Sequence, residues 1–158
     1  YQIADYKKLL WLITAFTIGH SITLALATLH IIEVNNTWVE FLIPCTILLS
    51  AIYNLTKTKK RYKYGVVAFF GLIHGLGFSN FFRQLTMPSQ ENDLIPQLFS
   101  FNIGVEMGQI TVILGAYFLI SKWFSQKIWY KERIVYPIST IIACVALYWV
   151  IERILFPI

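Results

Sequence analysis

Charge is what this sequence has least of. Only 13% of its 158 residues are Asp, Glu, Lys or Arg, about half the share of an ordinary soluble domain. That scarcity excludes a solvated globular surface. Cysteine is nearly absent too. Cys45 and Cys144 are far apart, and no CxxC pair occurs. The chain therefore has no disulfide framework and leaves its redox compartment unreadable. Both cysteines are expected to be small apolar fillers. There is no low-complexity tract and no clear internal repeat. The opening residues YQIADYKK have no apolar core of their own, so no signal peptide is expected there.

What the chain has in abundance is apolar surface. Hydrophobic residues make up 57% and aromatics 16%, with a mean hydropathy of +0.62. Long apolar stretches recur at 9–29, 38–55, 64–82, 98–120 and 135–155. Each is close to the ~20 residues that a helix needs to cross the hydrocarbon core. These five spans predict an all-α polytopic transmembrane bundle, with residues 1–158 forming one membrane domain.

The net charge of +5 points to lipid rather than nucleic acid, because the basic residues gather at span ends. Lys7 and Lys8 precede span one. Lys57, Lys59, Lys60, Arg61 and Lys63 follow span two, and Lys122, Lys127, Lys131 and Arg133 follow span four. On a five-span path these segments share one side and hold eleven of the thirteen basic residues, leaving Arg83 and Arg153 opposite. The positive-inside rule puts the loops 57–63 and 121–133 in the cytoplasm. Trp11, Trp38 and Trp123 fall near span ends, as interfacial aromatics do. The polar stretch TMPSQENDLIPQ, 86–97, reads as a solvated external connector, with a lid or partner contact as the alternative.

Against this background the polar residues inside the spans stand out. His20 lies near the middle of span one, His74 near the middle of span three and Glu106 near the middle of span four. Ionisable groups at that depth are costly and normally face a protein interior or a water-filled cavity. Three at matched depth on separate helices are expected to meet. Each has company on its own helical face. Thr17 and Thr23 flank His20, with Ser21 beside it, while Asn102 and Gln109 flank Glu106. Small residues recur at spacing four: Ala15, Gly19, Thr23 and Ala27; Gly71, Gly75 and Ser79; Ser100, Gly104 and Gly108. Such ridges let helix backbones approach closely in a bilayer.

Two imidazoles and a carboxylate suit a divalent transition metal. Imidazole binds nickel, cobalt and zinc, oxygen donors suit harder ions, and the lack of a nearby thiolate disfavours Cu(I). Asn102 and Gln109 would then be outer ligands or supports for the ligands. A purely structural His–Glu network and a proton relay stay open on the residues alone. Glu40, at the start of span two, either guards an entrance or sits at an interface near a helix N-terminus. Asn54 either caps that helix or lines an exit. His30 and Glu33, just past span one, could attract a cation or simply be solvated loop residues. Glu152 and Arg153 read as interfacial.

The motifs FTIGHSITLALA (16–27), FGLIHGLGF (70–78) and FNIGVEMGQ (101–109), in that order, resemble the HupE/UreJ family of hydrogenase and urease accessory membrane proteins. Glu40 and Asn54 also fall where that family carries an acid and a polar residue. The resemblance spans roughly residues 10–120. It implies a polytopic protein of the bacterial inner membrane that handles Ni²⁺ or Co²⁺, with Zn²⁺ as a further candidate. It also implies that His20, His74 and Glu106 are the family's intramembrane polar residues here. Family members usually carry an earlier helix with a histidine and an Asp-His pair, so a complete member would have six spans and further ligands. Metal transport or delivery for metalloenzyme maturation is the expected function. The alternatives are a metal-dependent intramembrane enzyme, zinc hydrolase-like, and a structural subunit of a larger membrane complex. Homo-oligomerisation stays open.

Overall fold

The computed structural model describes residues 6–33, 35–56, 63–85 and 94–156. The basic run at 57–62 and most of the connector, 86–93, lie outside the described residues. Five long helices stand where the five apolar stretches predict them: α1 (Tyr6–Thr28), α2 (Asn36–Leu55), α3 (Lys63–Leu85), α4 (Leu94–Ala116) and α6 (Tyr136–Leu155). Between the last two, a π-helical turn at Tyr117–Ser121 extends α4 into the short α5 (Lys122–Phe124), and a second at Lys131–Val135 leads into α6. No strand occurs among the described residues.

Four segments are long and apolar enough to cross a bilayer: Leu9–Thr28, Asn36–Leu55, Ile95–Phe124 and Lys131–Leu155. In α3 the apolar stretch is shorter, Tyr64–Ser79. Asn80, Arg83 and Gln84 make its far end polar. Trp11, Trp38 and Trp123 are exposed.

The turns at the α1–α2 end follow standard capping chemistry. Ile31 N–H donates to the Leu26 carbonyl (2.9 Å) and His30 N–H to that of Ala27 (3.3 Å). This is a Schellman cap, with His30 in the left-handed position at φ 55°. Asn35 then caps α2, its side-chain oxygen accepting from Thr37 N–H at 2.9 Å.

The helices are arranged in the order α4, α1, α3, α2, α6, and the α1–α3 seam is the most extensive. Glycine makes that seam. A Cβ at Gly19 would strike the Ala68 carbonyl oxygen, one at Gly71 that of Phe16, and one at Gly75 that of His20 and the Thr23 hydroxyl. Backbone thus lies against backbone, and nothing there can yield to a side chain. Thr23 Oγ1 donates across the seam to the Leu72 carbonyl at 2.7 Å. In a bilayer, where lipid tails are as apolar as leucine, such close packing and interhelical hydrogen bonds supply the association that hydrophobicity cannot.

The α2–α6 seam uses other means. Ser139 and Ala146 are buried on α6, and Arg153 pairs with Glu40 at 3.5 Å. Glu40 therefore ties two helices together, a role that neither reading of it foresaw. Helix α4 meets α1 only lightly and has no buried residue in its apolar window. Gly104 and Gly108 have the spacing of a packing ridge, yet a Cβ at either would meet nothing within 4 Å. Small residues permit an approach; they do not supply a partner. Cys45 and Cys144 are both free thiols.

Candidate metal centre

The backbone of His20 lies over α3 between Gly71 and Gly75, the turn that carries His74. The close α1–α3 crossing thereby brings two imidazoles to one level on neighbouring helices. His20 is 1% exposed, and neither ring nitrogen has a hydrogen-bond partner. An imidazole buried this way forfeits about 1–3 kcal/mol of unrecovered hydration. His74 differs. Its Nδ1 lies 2.9 Å from the Phe70 carbonyl oxygen. A carbonyl only accepts, so Nδ1 carries the hydrogen and Nε2 presents the lone pair. Fixing one ring nitrogen in this way is how a ligating histidine is commonly oriented.

Aromatic rings frame the pair. Phe16 stacks on His20 (centroids 6.2 Å, 15° between planes) and meets His74 at 5.3 Å, edge to face. Phe78 meets His20 at 5.4 Å and continues to Phe101 of α4 at 6.2 Å. Phe101 also packs on Phe82 at 5.3 Å. The two histidines thus sit in a ring-lined, low-dielectric setting. The signal for this frame is in the motifs. Phe16 precedes His20 by four residues, and Phe70 and Phe78 bracket His74 by four on each side, so each shares its histidine's face.

The polar stripe of α4 approaches α1 at one point, where Thr17 Oγ1 donates to Gln109 Oε1 at 3.3 Å. Asn102 Oδ1 is buried without a hydrogen-bond partner. Glu106 lies between them on the same stripe, half-buried. Among the described residues, no three His, Cys, Asp or Glu side chains are grouped closely enough to hold a metal ion. Glu106 does not complete such a group with the histidines. Phe101 of α4 meets Phe78, which in turn meets His20, so the ring contacts link α4 to His20 through Phe78.

The remaining candidates are spread through the bundle. Thr23 is committed to the α1–α3 seam. Ser21 is half-buried beside His20, and Asn54 is exposed in the last turn of α2. Glu40 is at the ion pair with Arg153. As a donor set, two imidazoles at one depth, one orphaned and one with an oriented Nε2, fit the nitrogen preference of Ni²⁺, Co²⁺ or Zn²⁺.

A family model described as HupE / UreJ protein matches residues 2–153 of the chain. No curated protein and no solved structure matches it.

Proposed function

The chain belongs to the HupE/UreJ family, and from that premise we propose that it binds a divalent transition-metal ion at mid-membrane through His20 and His74. Ni²⁺ and Co²⁺ are favoured, and Zn²⁺ is the further candidate. The protein moves or delivers the ion across the bacterial inner membrane toward the side of the basic segments 57–63 and 121–133, which the positive-inside rule makes cytoplasmic. The observation that carries this reading is the His20 side chain, fully buried with both nitrogens unpartnered. A histidine that served only to bind helices together would have its nitrogens satisfied.

The ion sheds part of its hydration shell and takes a lone pair from His20 and another from His74 Nε2. Glu106 is the third donor if α4 closes on α1, and α4 is the least tightly held of the long helices. Elemental analysis of purified protein tests the reading, comparing wild type with His20→Ala/His74→Ala after nickel, cobalt or zinc loading. Stoichiometric metal in the wild type and its loss in the variant are expected. Equal metal in both proteins would refute the assignment.

A second reading has one observation in its favour. Gly104, Gly108 and Gly115 of α4 face open space, as they would on a subunit awaiting another helix. A metal-free wild type that purifies within a larger assembly would favour this accessory role.

A further inference from the structure

A second polar site opens at the end of the bundle where α1 passes into α2. It is a pocket of about 290 Å³ that draws on three elements: His30 and Glu33 of the α1–α2 connection, Asn36 at the start of α2, and Ser79 of α3, with Ala27 and Leu76 among its apolar lining. Six water molecules occupy about 180 Å³ of liquid, so the pocket admits an ion with its hydration shell.

The side chains suit such a guest. His30 offers an imidazole and Glu33 a carboxylate, the pairing of nitrogen and oxygen donors that borderline divalent ions accept. Ser79 is buried, and its hydroxyl donates to the Leu76 carbonyl at 2.7 Å, which leaves its oxygen lone pairs for a water. Asn36 supplies an amide. The backbone fixes where His30 stands: it holds the left-handed position of the Schellman cap, set by the two cap hydrogen bonds.

The pocket lies about two helical turns beyond the level of the histidine pair. Leu76 is two residues from His74 along α3. Ala27 is seven residues beyond His20, about 10 Å along α1 at 1.5 Å per residue.

We propose that this pocket is an outer capture site for a divalent transition-metal ion, held by His30 and Glu33 with Asn36 and Ser79 ordering its remaining waters. The proposal rests on the reading above for its choice of ion and for the outer side. The ion arrives hydrated and exchanges some of its waters for His30 and Glu33, about two helical turns from the level of the buried pair.

The test uses the whole protein in nanodiscs, with no polyhistidine tag, titrated with Co²⁺ and followed by visible absorption and equilibrium dialysis. His30→Gly/Glu33→Gln removes both donors while giving the cap the residue that suits its backbone. The expected result is loss of one metal equivalent, or at least tenfold weaker binding of it, with thermal stability no lower than that of the wild type. His20→Ala/His74→Ala should keep that equivalent. Unchanged stoichiometry and affinity in His30→Gly/Glu33→Gln would overturn the proposal. If only the His20/His74 variant loses metal, the outer site falls and the central one stands; if only the His30/Glu33 variant does, the reverse holds.

Discussion

The α1–α3 seam and the face of α4 carry the same kind of sequence and behave differently. Gly71 and Gly75 are four residues apart, and so are Gly104 and Gly108. At the first pair a neighbouring backbone fills the place of the missing Cβ; at the second pair nothing does. What separates them is the opposing surface. Helix α3 meets Gly19 and Thr23 of α1, another small-residue ridge with a hydroxyl to spare. A Cβ at any glycine of α4 would meet nothing within 4 Å among the described residues. A small-residue ridge is thus half of an interface, and its partner decides whether it becomes one.

The largest test of this contrast is a matched pair of valines. Gly75→Val drives a side chain into the His20 carbonyl and the Thr23 hydroxyl. It should cost about 3 kcal/mol or more, seen as a large drop in thermal unfolding temperature in detergent or as failure to purify. Gly108→Val should leave the melt within ~0.5 kcal/mol of wild type. Equal effects would erase the distinction between the two faces.

Next in size is His20→Leu, which sharpens the contrast between packing and function within the tight seam. It replaces an imidazole that has no hydrogen bonds by a side chain of similar bulk. The melting temperature should rise, by the equivalent of about 1–3 kcal/mol of relieved desolvation, while metal binding is lost. A fall in stability would mean that the imidazole supports the helix crossing.

The smallest expected effect comes from two threonines. Thr23 donates across helices to Leu72, whereas Thr111 donates to Met107 of its own helix at 2.8 Å. Thr23→Val should cost about 0.6–1.7 kcal/mol, and Thr111→Val almost nothing. Side-by-side melts of the two variants decide it.

Much of this architecture is legible in the sequence, because leaving water is a property of each segment alone. The five apolar stretches mark the five long helices within a few residues, and the small-residue spacing around His20 and His74 marks surfaces able to pack closely. Which helix meets which is another matter. In lipid the outer faces are as apolar as the inner ones: Ile18, Phe69, Val112 and Ile141 are all exposed. Hydropathy therefore does not point inward. Nothing local in FNIGVEMGQ says that α4 sits lightly on α1 or that Phe101 turns toward Phe78. The Glu40–Arg153 tie joins residues more than a hundred positions apart, and neither helix announces it. The pocket at the α1–α2 connection is legible only as its parts, since His30 and Glu33 look like ordinary loop residues until Ser79 is brought to the same pocket.

Phe16 lies against both central imidazoles, so one benzene ring is a wall shared by the pair. His74 is pinned through Nδ1 to its own helix, whereas no hydrogen bond holds the His20 ring at either nitrogen. The setting of the His20 ring is therefore fixed by shape rather than by bonding, with Phe16 on one side and Phe78 on another.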